Sequence, residues 1–162
     1  MSLVAISTVH ARVFYGGGSP TSETLRHVWS KPISNKIESL AANRLIVEIL
    51  HISKRSENWD GFGSAQPIAT AVTNAVNAAS SFVQQVSLAG LEWSHPFIGS
   101  NEVGEISFEW WCGDKKLTIY IGSDEINFVS SWGHNIDSHM DAGQMATDDF
   151  LKQWRWLKQL HN

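Results

Sequence analysis

The spacing of apolar and polar positions divides this chain into segments of different period. From residue 34 onward, Ile37, Ala41, Leu45, Ile49 and Ile52 recur at helical spacing, with Leu40, Val47 and Leu50 widening the stripe. A stripe that wide predicts a well-buried helix ending near Lys54 or Arg55, capped by Ser34 or by Asn35 with Glu38 in the capping-box position. A second helix follows Pro67, which suits a first-turn position. Ile68, Val72, Ala75, Val76, Ala79, Phe82, Val83 and Val86 trace its apolar face, and Ala71, Ala75 and Ala79 would let another element approach closely. The period then drops to two. In "EISFEWWC", "KKLTIYI" and "EINFVSSW", alternate positions are apolar: Ile106, Phe108 and Trp110, then Leu117, Ile119 and Ile121, then Ile126, Phe128 and Trp132. Two-residue turns at Gly113-Asp114 and Ser123-Asp124 set Trp110 opposite Leu117, Phe108 opposite Ile119, Ile106 opposite Ile121, and Ile119 opposite Phe128. A slip of one residue would destroy every one of these apolar pairs. The last element, a helix starting near Gly143, carries Phe150, Leu151, Trp154, Leu157 and Leu160 as its stripe, with Trp156 well away from it. Asp148 and Asp149 near its start and Lys152, Arg155 and Lys158 further on suit its dipole.

These elements predict an α+β fold: two helices, a three-stranded antiparallel meander and a C-terminal helix, with helices covering the apolar sheet face. Residues 33–162 form one such domain. Residues 1–32 read as an extended or flexible segment, in which "VAISTVHARVFY" could add a strand before "GGGSPTSE" breaks it.

Composition narrows the function. The chain has 162 residues, of which 17% are charged, and its formal net charge is −4. Without a strong basic cluster, a dominant nucleic-acid role is disfavoured. Eight tryptophans cannot all be fully buried in a domain this size, so some aromatic area is expected to face a partner or a groove. Cys112 is the sole cysteine, which excludes an internal disulfide and a cysteine-based metal set. No signal peptide or membrane span is legible, so a soluble, cytoplasmic protein is expected.

Between the two predicted helices lies "ENWDGFGSAQP". Asn58 and Asp60 can turn back onto nearby amides, Gly61 and Gly63 can take positive φ, and Trp59 and Phe62 would anchor the loop in the core. The expectation is a structural corner. "NWDGFGSAQPI", the following helix with "FVQQV", and then "GEISFEW" and "LTIYI" resemble a family of small uncharacterised bacterial and phage proteins. That family shares an NWDGYGA-x-P stretch followed by a helix and a GxIxLEW strand. The likeness covers about residues 54–130, with Phe62 and Ser64 departing from its pattern. It transfers no activity. Members resemble one half of two-gene cassettes on phages or other mobile elements, which implies partner binding of an antitoxin, immunity or anti-defence kind.

Rival chemistry finds less support. Asp60 and Asn58 lack the repeated acids of a calcium loop. His134, Asp137, His139 and Asp141 lie close together in a segment read as a loop and could hold a divalent ion for a small hydrolase. A solvated His/Asp-rich loop is the preferred reading, so no metal and no cofactor is expected. No serine stands in a nucleophile elbow, and Cys112 has nothing nearby to lower its pKa. Glu105 and Glu109 share a strand face and read as solvated rather than as a paired acid site.

The outer face of the meander is the remaining candidate. The register puts Trp111 opposite Lys116 and Ser107 opposite Tyr120, with Glu109 and Thr118 between them. Either another element covers this face and buries Trp111, or it is an exposed surface rich in hot-spot residue types. On the second reading Trp111, Tyr120, Lys116 and Glu109, with Trp156 from the last helix, dock a protein partner without catalysis.

Overall fold

The computed structural model describes residues 38–133 and 138–159. All of them belong to one structural unit, Pro32–Asn162. The expected N-terminal strand, the Ser34/Asn35 cap, His134 and Asp137 lie outside the described residues.

The fold is α+β. Helix α1 runs over residues 38–52 and α2 over Ala69–Leu88. Strands β1 (Phe97–Ser100), β2 (Ile106–Cys112), β3 (Lys115–Ile121), β4 (Ile126–Trp132) and β5 (Met140–Met145) follow, then a 3-10 turn at Thr147–Asp149 and helix α3 (Phe150–Lys158). The five strands form one antiparallel sheet in the order β1-β2-β3-β4-β5.

The central meander has the predicted register. Trp110 pairs with Leu117, Phe108 with Ile119, Ile106 with Ile121, Ile119 with Phe128 and Ile121 with Ile126. Each pair sets apolar against apolar on one face, where burial holds the register in place. The sheet, however, has five strands and not three. β1 is only four residues long and contains Gly99. β5 pairs with β4 through Ser130↔Asp141, Phe128↔Gly143 and Ile126↔Met145, so its core-side positions are acidic, absent and apolar in turn. No alternation marks such a strand. For the same reason α3 begins at Phe150 and not near Gly143: residues 140–145 pair with β4, and Asp148 and Asp149 lie in the 3-10 turn before the helix.

The core fills the space between the helices and one sheet face. Leu45 and Ile49 of α1, Phe82 and Val86 of α2, Phe108, Leu117 and Ile119 of the sheet, and Phe150, Trp154 and Leu157 of the last turn and helix are all fully buried in one cluster. Its centre is aromatic. Phe82 stacks on Phe150 at 4.0 Å, and Trp154 stacks on Trp93 at 5.2 Å while meeting Trp110 edge-on at 5.7 Å. The small face of α2 works as expected, since Ala71, Ala75 and Ala79 are all 0% exposed. The widened stripe of α1 does not. Leu40, Val47 and Leu50 are exposed, because the core meets only the Leu45–Ile49–Ile52 side of that helix.

Two polar contacts fix the helices to the sheet. Asn74 donates its side-chain amide to the carbonyls of Gly122 and Ser123 at 3.0 and 2.9 Å, bracing the β3–β4 turn against α2. Lys115, buried on the core side, donates to the carbonyls of Trp156 and Gln159 at 3.0 and 2.8 Å. Those carbonyls end α3 without intrahelical partners, so the ammonium both caps the helix and satisfies its own charge.

Candidate functional site

The loop between α1 and α2 closes on itself through backbone and side-chain bonds. Asn58 takes a left-handed conformation (φ 58°), its N–H donates to the Ser64 carbonyl at 2.7 Å, and its side-chain oxygen accepts from Gly63 N–H at 2.7 Å. Asp60 accepts from Phe62 N–H at 2.9 Å and from the buried Ser64 hydroxyl at 2.6 Å. The two Asx interactions are thus as expected, and Gly61 and Gly63 supply the positive φ that closing the ring requires. The expected aromatic anchors are not anchors. Phe62 is 93% exposed at the loop tip, and Trp59 is 37% exposed with the Arg55 guanidinium 3.9 Å above its ring. Polar closure, and not apolar burial, orders this loop, so truncating Trp59 leaves no closed cavity.

The chain leaving the loop is tied to the β1–β2 turn. Ala65 N–H donates to the Glu102 carbonyl and Ile68 N–H to the Gly104 carbonyl, both at 2.9 Å. Gly104 has φ 84°, and a Cβ there would stand 2.5 Å from the Gln66 carbonyl oxygen. The "NWDGFG" loop and the glycine of "GEISFEW" therefore form the two sides of one joint. Its role is to hold the α1–α2 corner against the sheet.

The Ser64 hydroxyl and the Phe62 N–H hold the Asp60 carboxyl below its ordinary pKa. A carboxylate depressed in the folded state stabilises above its unfolded pKa, and that contribution disappears as pH falls through the folded value. Asp60→Ala is expected to lower the melting temperature at neutral pH, with the gap to wild type narrowing once the pH drops below the carboxylate range. Parallel thermal melts at pH 7 and in acid check this. A gap that stays constant with pH would remove the charge from the account.

On the outer face of the sheet, three residues form one connected group. Glu109 accepts from the Trp111 indole N–H at 2.8 Å and pairs with the Lys116 ammonium at 2.6 Å, and that ammonium lies 4.9 Å from the Trp111 ring centroid. Trp111 is 63% exposed, so among the described residues nothing covers it. Tyr120 lies on the same face beside Ser107 and Asn127 and is half-buried. Sequence reasoning missed two further members. Phe97, paired with Glu109, is 72% exposed, and Met140, paired with Ser131 next to Lys116, is 51% exposed. Both sit on the two strands that carry no clear alternation.

Trp156 does not join this group. It packs edge-on against Trp132 at 5.9 Å and lies near Lys115, whose partner across the strands is Trp132 on the core side of the sheet. The predicted five-residue surface therefore divides between two faces. Leaving the apolar stripe of α3 carried Trp156 toward the sheet's last strands and not into the outer face.

Of the His134, Asp137, His139 and Asp141 set, only His139 and Asp141 lie among the described residues. His139 packs beside Trp132, and Asp141 lies in β5. Among the described residues, no three His, Cys, Asp or Glu side chains gather as a metal set. Glu105 bonds to the Asn101 amide at 2.7 Å while Glu109 serves Lys116, so the two acids have separate partners. No helix among the described residues is long and apolar enough to cross a membrane.

An α+β domain with its helices on one face of a five-stranded antiparallel meander is as far as the fold classifies the chain. No family model, curated protein or solved structure matches it.

Proposed function

We propose that this protein is a non-enzymatic interaction module that docks the outer face of its sheet on a protein partner. The observation that carries this reading is Trp111: a large aromatic ring left 63% exposed yet held by Glu109 and Lys116. An exposed ion pair contributes only about 0–1 kcal/mol to stability. Its value here is to fix the ring in advance, which removes part of the ordering cost of binding. Phe97, Tyr120 and Met140 extend the apolar area on either side of it. The complementary partner surface is an apolar pocket sized for an indole, with an acid near Lys116 or a base near Glu109 at its rim. The likeness to proteins of two-gene cassettes is consistent with a single dedicated partner of this kind.

Trp111→Ala is expected to weaken partner binding by at least ~2 kcal/mol, a hot-spot magnitude. Stability should change little, since an exposed site leaves no cavity. The test captures the partner from the native host with wild type and variant side by side, then titrates the purified partner against each while recording melts. A variant that melts much lower and binds normally once folded would make Trp111 a structural residue and end the proposal.

A further inference from the structure

On the core side of the sheet, β4 presents Ile126, Phe128, Ser130 and Trp132, and β5 presents Met145, Gly143 and Asp141 across from the first three. The apolar filling of the sheet stops at Ser130 and Gly143. Both are small where their neighbours are large, and the Phe128 ring already lies against Gly143, with Cε1 3.3 Å from where a Cβ would be. Helix α3 spans this gap with Gln153 and Trp156, leaving a cleft of about 290 Å³. That size is at the lower end of small-molecule sites.

The chemistry of the lining is distinctive. Gln153 is only 8% exposed, and its amide makes no hydrogen bond to any described residue. The buried side-chain groups without a partner among the described residues are the Trp93 and Trp154 indole N–H groups and not this amide, so the amide opens onto the cleft, where a ligand can meet it. Ser130, 3% exposed, donates its hydroxyl to the Asp141 carbonyl at 3.3 Å. Trp132 and Trp156 meet at 5.9 Å with their planes 68° apart, so two indoles form an angled wall. The rim carries Asp141, Asp149 and Lys152. One Asp149 oxygen accepts from Ala146 N–H, whereas the Asp141 carboxylate has no partner among the described residues. Lys115, the other nearby cation, is committed to the two carbonyls at the end of α3.

We propose that this cleft binds a small organic cation, an alkylammonium or guanidinium group with a short apolar body. Its charge pairs with Asp141, its body lies against Trp132 and Trp156, and a donor hydrogen reaches the side-chain oxygen of Gln153. Aromatic walls beside a carboxylate that has no partner among the described residues are an arrangement that favours an organic cation. An anion would meet two carboxylates and one ammonium. The cleft is on the opposite side of the sheet from Trp111 and does not depend on the docking reading.

The test uses the full chain, with butylammonium and butylguanidinium chlorides as probes and methyl glucoside as a neutral control. Saturable shifts of the Trp132 and Trp156 indole N–H signals are expected with the cations and not with the glycoside. Asp141→Asn, at an exposed edge position, should weaken binding by about three- to fivefold. Gln153→Leu should weaken binding while melting no lower than wild type, because it removes an amide that bonds to no described residue; a structural glutamine would lose stability instead. No saturable shift with either cation, unchanged affinity in Asp141→Asn, or binding of the glycoside alone would each overturn the proposal.

Discussion

Trp154→Ala is expected to destabilise the protein by about 3–5 kcal/mol, the range for truncating a large buried aromatic. Trp154 is 0% exposed and touches three other rings, Trp93 at 5.2 Å, Phe150 at 5.6 Å and Trp110 at 5.7 Å in an edge-on contact, with Phe82 stacked on Phe150 behind them. These rings come from α2, α3, β2 and the segment before β1, so no single element can relax to fill the space. The ring also bears a cation, Lys158 Nζ, 4.9 Å from its centroid. Trp154→Phe should cost much less than the alanine change. Phenylalanine keeps most of the apolar volume and removes the Trp154 indole N–H, which is buried without a partner among the described residues. Denaturant unfolding of the two variants against wild type measures both differences. An alanine variant within ~1 kcal/mol of wild type would mean that the aromatic cluster is not the centre of the core.

The parts of this fold that could be read from the sequence are those in which one physical demand dominates. In β2, β3 and β4 the alternation of Ile, Phe, Leu and Trp leaves a single register that keeps both faces consistent, and the strands pair that way. In α2 the alanines and valines trace one side, and that side is buried. Where a residue answers to something beyond its own element, the pattern misleads. β5 is hidden because its core side lines a cleft, so Asp141 and Gly143 stand where apolar residues would mark a strand. The widened apolar stripe of α1 predicts a well-buried helix, yet periodicity cannot tell which side a neighbour will cover, and Leu40, Val47 and Leu50 stay exposed.

The candidate site divides in the same manner. Trp111, Glu109, Lys116 and Tyr120 follow from the register, because a strand position determines its face. Their joining through Glu109 depends on side-chain reach and was not legible. The angle of Trp156 from the stripe of α3 points it away from the core, but a helix only nine residues long at the end of a sheet has neighbours on more than one side. In the loop, Asn58 and Asp60 were legible as polar turn-formers. The apolar weight of Trp59 and Phe62 suggested anchoring that the polar closure makes unnecessary.

Gly104→Ala is expected to destabilise the protein by about 2–5 kcal/mol, a large effect for adding one methyl group. Two independent penalties combine there. The backbone φ of 84° is costly for a residue with a Cβ, and the new Cβ would sit 2.5 Å from the Gln66 carbonyl oxygen. That oxygen belongs to backbone between Ala65 and Ile68, both bonded to the turn that contains Gly104, so it cannot swing aside without opening the joint. Gly113→Ala is the matched control. Its φ is 61°, and a Cβ there would meet nothing within 4 Å, so it should show the conformational cost alone, about 1–2 kcal/mol. Unfolding curves for the pair separate the two contributions. Hydrogen exchange at Ala65 and Ile68 then localises the damage, since their amides should lose protection in Gly104→Ala and keep it in Gly113→Ala. Equal destabilisation of the two variants, with both amides still protected, would show that the joint between the loop and the β1–β2 turn does not hold the α1–α2 corner in place.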